Sequence, residues 1–218
     1  LYLSTRAYDG AIEALTELLD EQPGVNQAVQ LLIGAYDGAG RPADALAVLE
    51  AESEQSASSR TLRQLAERYE QDSRWMDAAG AYEREIEQNP GRVSPRRRLA
   101  TALLNAGEMT RARDVLLEVV ELEPTDVAGL YQLSDVELRL NNLDAAEAVA
   151  ERLVAAEPNG VRGPVALAQV FERRREHRRV VETLEPAVGA ARESNLSPRQ
   201  VSSLLVQIGF AYRQLGEF

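Results

Sequence analysis

The side chains best suited to chemistry in this 218-residue sequence are the charged ones, 24 arginines and 35 acidic residues, with no lysine. Arginine pairs bidentately with carboxylates, so this composition favours ion pairing over covalent chemistry. The lack of cysteine excludes thiol catalysis and cysteine-based metal sites, and a single histidine, His177, excludes His-rich ones. No phosphate-binding glycine loop, dinucleotide fingerprint, zinc-protease motif or nucleophile elbow occurs. The sequence therefore predicts no catalysis, no metal site and no cofactor.

The charge is distributed unevenly along the chain. Residues 1–90 hold 17 acids and 7 arginines, whereas residues 91–218 hold 18 acids and 17 arginines. The net charge of −11 argues against nucleic-acid binding, which relies on neutralising phosphates. The second part carries two basic clusters, Arg92 with Arg96–Arg98, and Arg173–Arg175 with Arg178 and Arg179. These clusters suggest that the second part docks an acidic partner.

The charged residues are set on a repeating pattern of small and apolar residues. Pro90, Pro124 and Pro158 are 34 residues apart, and an alanine stands twelve residues before each of them. A leucine recurs at nearly the same period and is followed eight residues later by a residue that usually favours turns. The leucines are Leu32, Leu65, Leu99, Leu133 and Leu167, and the turn positions are Gly40, Ser73, Gly107, Asn141 and Arg175.

The spacing within each unit predicts two helices joined by a tight turn. Apolar residues recur at intervals of three and four, as on one face of a helix, and each proline ends the second helix. A single pair cannot bury its apolar face, so the pairs must stack into a right-handed superhelix with a concave and a convex side. We predict first helices near 26–39, 59–72, 93–106, 127–140, 161–174 and 198–215, and second helices near 8–21, 42–54, 75–88, 109–122, 143–156 and 177–191.

These recurring positions resemble the tetratricopeptide repeat, whose pattern is W-x2-L-G-x2-Y, then A-x3-F, then P. The third unit matches best, through Leu62, Leu65, Ala66, Tyr69, Ala78, Tyr82 and Pro90. The resemblance covers nearly the whole chain and implies an all-α solenoid of stacked antiparallel helix pairs. Three positions depart from the pattern and are expected to weaken packing, namely Glu137, Pro164 and Val180.

The pattern divides residues 1–218 into a single solenoid of about six repeats. The complete repeats are 26–58, 59–92, 93–126, 127–160 and 161–201, the last with an insertion, and 1–25 and 202–218 are partial. Because both ends fall inside a repeat, we expect the chain to be a piece of a longer protein. The alanine-rich composition without lysine indicates a GC-rich bacterial genome.

In proteins similar to this one, the first helix of each pair lines a concave groove that holds a partner peptide or segment. The candidate groove residues are those of the first helices that do not stand at the recurring small or apolar positions. Those predicted to bind a partner are Arg60, Arg63, Arg97, Tyr131, Asp135, Arg162 and Gln169. Arginine and tyrosine are favoured at the energetic centres of interfaces, and arginine suits a carboxylate on the partner.

The predicted ends of the chain are apolar where a solenoid needs polar caps. Residues available for end-to-end contact are Leu1, Tyr2, Leu3, Phe210, Tyr212 and Phe218. Heterologous contacts of this kind build filaments, so self-assembly is an alternative to partner binding. A second alternative is that these repeats belong to a larger enzyme or secretion component.

We therefore predict a non-catalytic protein-interaction scaffold. Its expected partner is a protein or peptide, which the basic clusters suggest is acidic, and a homo-oligomer is the alternative partner. No run of about 18 apolar residues occurs, so no membrane insertion is predicted. A cysteine-free composition is compatible with the cytoplasm, the periplasm or the extracellular space.

Overall fold

The computed structural model describes residues 2–22, 25–55, 58–193 and 198–216, with side chains except at residues 2–6, 191–193 and 200. Within these ranges the chain forms twelve α-helices, close to the predicted positions except that the first begins at Tyr2 and not near residue 8. They are α1 (Tyr2–Glu21), α2 (Asn26–Gly38), α3 (Pro42–Gln55), α4 (Ser59–Gln71), α5 (Trp75–Gln88), α6 (Val93–Asn105), α7 (Met109–Leu122), α8 (Val127–Arg139), α9 (Leu143–Ala156), α10 (Arg162–Arg173), α11 (His177–Glu193) and α12 (Pro198–Leu215).

The helices fall into two compact units, Leu1–Ala106 with α1–α6 and Gly107–Phe218 with α7–α12. In each unit, consecutive helices pack against each other and short turns reverse the chain between them. Even-numbered helices are the first helices of the predicted repeats, and odd-numbered helices are the second. The prediction of an all-α fold built from antiparallel helix pairs is confirmed.

Each turn between the two helices of a pair places one residue in the left-handed region. The φ values are 73° for Gly40, 57° for Ser73, 84° for Gly107, 63° for Asn141 and 61° for Arg175. Next to Arg175, the Glu176 N–H donates to the Phe171 carbonyl at 2.8 Å, and the Arg74 N–H donates to Tyr69 in the same way. These bonds satisfy the last helical carbonyls. The predicted column of turn residues therefore ends the first helices.

Small residues bring the paired helices close together. Ala45, Ala78, Ala112 and Ala146 are completely buried, and Val180 at the equivalent position is also completely buried. Val180 packs in a cluster with Phe171, so the larger side chain is accommodated in the core. Glu137 is buried too, and its carboxylate accepts a hydrogen bond from Asn142 at 2.7 Å. The pairing of Glu137 with a turn residue explains how a carboxylate occupies a position expected to be aromatic.

Candidate partner-binding surfaces

The first helices of the unit Leu1–Ala106 lie side by side, as a shared binding surface requires. Gln64 on α4 donates to Gln30 on α2 at 3.0 Å, and Arg68 forms an ion pair with Asp37. Arg98 on α6 contacts the carboxylate of Glu67 on α4 at 3.4 Å. Polar links of this kind connect α2 to α4 and α4 to α6.

Arg60 lies at the edge of an open cleft between the N-terminal parts of α2 and α4. The cleft has a volume of about 450 Å³ and is lined by Asn26, Gln27, Gln30, Ser58, Arg60 and Thr61. Ser58 caps α4 by accepting a hydrogen bond from the Thr61 backbone N–H at 3.1 Å, which fixes this wall of the cleft. Arg60 itself is exposed. The cleft therefore offers amide, hydroxyl and guanidinium groups to a ligand.

Arg63, also a predicted partner-binding residue, is engaged within the protein. Its Nη2 donates to Glu85 Oε1 at 3.0 Å, and Arg92 approaches the same oxygen at 3.3 Å. The Glu85 side chain is only 1% exposed, whereas 41% of the Arg63 side chain is exposed. Arg63 thus pairs with a buried carboxylate, while part of its own side chain remains exposed to solvent. Glu85 is not among the predicted residues, although an acidic residue at a repeat position that is apolar in Val119 and Leu153 was a usable signal.

The first basic cluster is largely engaged inside its own unit. Arg96 is buried and donates to the Arg92 carbonyl at 3.0 Å, and Arg98 contacts Glu67 and Glu70. Arg97 lies half-buried on α6, where its carbonyl accepts a hydrogen bond from Thr101. Internal ion pairing therefore reduces the positive charge that this cluster offers to an acidic partner.

The remaining predicted groove residues belong to α8 and α10, which contact each other in the unit Gly107–Phe218. Tyr131 is 39% exposed on α8, and Asp135 one turn later pairs with Arg139 at 3.7 Å. Arg162 is exposed at the first position of α10, and Gln169 is half-buried near its end. This unit thus presents an aromatic ring and a guanidinium group from neighbouring first helices.

The second basic cluster is organised around Glu147 on α9. Glu147 accepts hydrogen bonds from Arg174 and from Arg179, the latter at 2.6 Å, and Arg174 also pairs with Asp144 at 2.5 Å. Burial by itself raises the pKa of Glu147, but the two guanidinium groups outweigh it and lower that pKa below its ordinary value. Two arginines of this cluster therefore hold adjacent helix pairs together.

Two tyrosines of the first unit are held by carboxylates. The Tyr69 hydroxyl donates to Glu50 at 2.8 Å, and burial together with this bond raises the pKa of Tyr69 to about 12. The Tyr82 hydroxyl donates to Glu70 at 3.0 Å, and burial raises the pKa of Tyr82 as well. Both hydroxyls stay protonated at neutral pH, so they act as hydrogen-bond donors within the repeat core.

The structure describes only some of the residues predicted to make end-to-end contacts. Leu1, Phe218 and the side chains of Tyr2 and Leu3 lie outside the described residues. Phe210 is 45% exposed on α12, with the Arg213 guanidinium 5.0 Å from its ring centroid. Tyr212 is half-buried and donates to Glu185 at 2.7 Å, so it packs within its own chain.

The described part of the chain contains neither a cluster of metal ligands nor a membrane-spanning helix. Among those residues, no group of three or more histidine and acidic side chains has an arrangement that would hold a metal ion. No helix there combines the length and apolar character needed to cross a membrane.

The fold and these surfaces define an α-helical repeat protein with exposed first helices. One tetratricopeptide repeat model matches residues 63–127 and 131–179, and another matches residues 2–69. The chain belongs to the tetratricopeptide repeat (TPR) family, as the resemblance of its recurring residue positions implied. Among curated proteins, none matches this chain.

Solved structures of other TPR proteins share the fold. A MamA structure from Desulfovibrio magneticus RS-1 has a TM-score of 0.63 at 17% identity, covering 77% of this chain and 95% of its own. YrrB, described as a TPR protein with an unusual peptide-binding site, has a TM-score of 0.63 at 16% identity, covering 82% and 93%. A TPR protein from Parabacteroides merdae has a TM-score of 0.64 at 14% identity, covering 97% and 75%. At these identities, the likeness shows the fold alone.

Proposed function

We propose that this chain is a non-catalytic interaction scaffold that binds a protein segment along the first helices of its repeats. The cleft between α2 and α4 carries the proposal, because it brings the exposed Arg60 together with Gln27 and Gln30 on an open surface. Polar groups from two neighbouring helices suit the backbone and side chains of an extended peptide. The similarity to YrrB, a TPR protein with an unusual peptide-binding site, supports the same class of function.

The segment bound in this cleft carries a carboxylate that faces Arg60. A guanidinium group on an exposed surface forms a charge-assisted, bidentate pair with such a group. In the other unit, Tyr131 and Arg162 form a second contact surface, because both are exposed on neighbouring first helices. A tyrosine and an arginine of this kind commonly contribute most of the energy of an interface.

The test begins with affinity capture of partners from the native source, using the intact chain, followed by binding measurements with one purified partner. Reversing the charge with Arg60→Glu is expected to weaken binding about tenfold or more. Arg41→Glu is the matched control, because Arg41 is an exposed arginine on the turn after α2 and pairs with Asp44. Equal affinities for both variants and the wild type would refute the proposed surface.

Self-assembly is a second candidate, favoured by one observation. Leu205, Val206 and Phe210 on α12 are 44%, 71% and 45% exposed, which gives this helix an apolar outer face. Exposed apolar faces commonly mark contact sites between proteins. Mass measurements over rising protein concentration test this candidate. A concentration-independent monomer, unchanged by Val206→Ser, would exclude it for this chain.

A further inference from the structure

A second cleft lies between α1, α2 and α3, and it shares no lining residue with the cleft between α2 and α4. Its volume is about 350 Å³, at the small end of the range for ligand pockets. Leu19, Val29 and Val48 supply apolar walls, while Asp20 and Glu52 supply carboxylates. The combination of an apolar cleft and acidic groups suits a cation carried on an apolar stem.

Glu52 is the unusual member of this cleft. The residue as a whole is 6% exposed, and its Oε1 is buried without a hydrogen-bond partner among the described residues. Buried carboxylates are stable as charges only when a cation or hydrogen-bond donors compensate them. The cleft is therefore lined by a buried acceptor that faces no donor in the described part of the chain.

Glu52 occupies the same repeat position as Glu85, seven residues after the buried alanine of its second helix. In the other repeats this position is apolar, as Val119 and Leu153 show. Packing alone therefore does not require a carboxylate here. Glu85 is nevertheless accommodated, because two guanidinium groups lie within 3.3 Å of its Oε1.

The residues that neutralise Glu85 have uncharged counterparts one repeat earlier. Arg63 stands two residues before Leu65, and the counterpart two residues before Leu32 is Gln30. Gln30 is itself bonded to Gln64 at 3.0 Å. Arg92 precedes the first residue of α6, and the counterpart before α4 is Ser58, whose hydroxyl caps that helix. The chain thus repeats the buried acid at Glu52 without repeating either cation.

We propose that the cleft between α1, α2 and α3 binds an arginine side chain projecting from a protein partner. The methylene stem of the arginine would lie along Val29 and Val48, and its guanidinium group would pair with Glu52, as Arg63 pairs with Glu85. Asp20 adds negative charge at the exposed margin. The site uses none of the first-helix residues proposed above, so either surface can fail without the other.

An NMR titration of the isotope-labelled full chain tests this site with two blocked peptides. The probe is acetyl-Leu-Arg-Leu-amide, and its control replaces arginine with citrulline, which has the same shape without the charge. Shifts are expected at the amides of Leu19, Val29 and Val48. The citrulline peptide is expected to bind about tenfold or more weakly, because it lacks the charge-assisted bond.

Protein variants separate the carboxylate from the rest of the cleft. Glu52→Gln is expected to weaken binding of the arginine peptide about tenfold or more. Glu54→Gln, an exposed carboxylate on the same helix outside the cleft, is expected to leave binding unchanged. Ala51→Leu keeps Glu52 but fills the cleft from an exposed lining position, so it should also abolish binding.

Three results would overturn the proposal. One is equal affinity for the arginine and citrulline peptides, which would mean that Glu52 does not pair with the guanidinium group. Another is unchanged affinity in Glu52→Gln, and the third is an arginine titration without shifts at the cleft amides. Thermal unfolding of each variant verifies that it is folded. If Glu52→Gln does not fold, the binding measured with Ala51→Leu decides whether the cleft holds the arginine peptide.

Discussion

Arg63 on α4 and Glu85 on α5 form an ion pair at 3.0 Å in which the carboxylate is almost fully buried and the guanidinium group reaches the surface. The pair joins the two helices of one repeat, and Arg92 adds a second cation from the turn before α6. A residue on the candidate binding face is therefore also part of the repeat core. Changes at Arg63 should alter stability as well as any binding.

Replacing Arg63 with methionine is expected to lower the free energy of unfolding by about 1–3 kcal/mol, because Glu85 would keep only Arg92 as a cationic partner. Urea denaturation measures the change. Arg60→Met is the matched control on the same helix, and it should leave stability nearly unchanged because Arg60 is exposed. The double variant Arg63→Met with Glu85→Leu should regain most of the loss, since leucine suits this position in Leu153. An unchanged urea midpoint for Arg63→Met would contradict the assignment.

The lowered pKa of Glu147 predicts how part of the free energy of unfolding depends on pH. Because its pKa is lowered in the folded protein, Glu147 contributes stability above the ordinary carboxylate pKa of 4.5, and the contribution is lost as the pH falls through the folded-state pKa. Glu147→Gln should therefore destabilise the protein by about 1–2 kcal/mol at neutral pH. The difference from the wild type should shrink on acidification.

Denaturant unfolding at neutral and acidic pH tests this dependence. Glu151→Gln serves as the control, because Glu151 is an exposed carboxylate on the same helix. Its difference from the wild type should be small at every pH. A Glu147→Gln effect that does not change between neutral and acidic pH would show that Arg174 and Arg179 do not act on an ionised Glu147.

Gly163 allows α10 to pack closely on α9. A Cβ atom at this position would lie 2.8 Å from the Val154 backbone nitrogen, so Gly163→Ala requires the helices to separate. We expect a loss of about 1–3 kcal/mol. Gly189→Ala within α11 meets no atom within 4 Å and should instead raise stability by about 0.5–1 kcal/mol through helix propensity. Melting temperatures that shift the same way in both variants would contradict this packing.

Arg175 adopts a left-handed conformation that glycine occupies more easily. Arg175→Gly is therefore expected to raise the free energy of unfolding by about 0.5–1 kcal/mol, despite the larger entropy of glycine in the unfolded chain. The opposite change at the equivalent turn, Gly40→Ala, should destabilise by a similar amount because its φ is 73°. Paired urea titrations measure both effects. A stabilising Gly40→Ala would show that this turn does not require a left-handed residue.

The helix pairs were readable from the sequence because their determinants are local and recur with each repeat. Leu65 and Ala78 mark the buried faces of their helices through spacings of three and four residues. Gly40 and Asn141 mark the turns through their tolerance of positive φ. Prolines at the ends of second helices set the period. These signals require no knowledge of which helices become neighbours.

The roles of individual charged residues depend on partners that are distant along the chain. Arg63 was predicted to contact a ligand, but its partner Glu85 lies 22 residues away on another helix. Arg174 and Arg179 belong to a basic cluster of the sequence, yet they pair with Glu147 about one repeat earlier. Sequence periodicity identifies which face of a helix is buried. Packing between helices determines which charges meet, because burial makes an unpaired charge costly and a paired one acceptable.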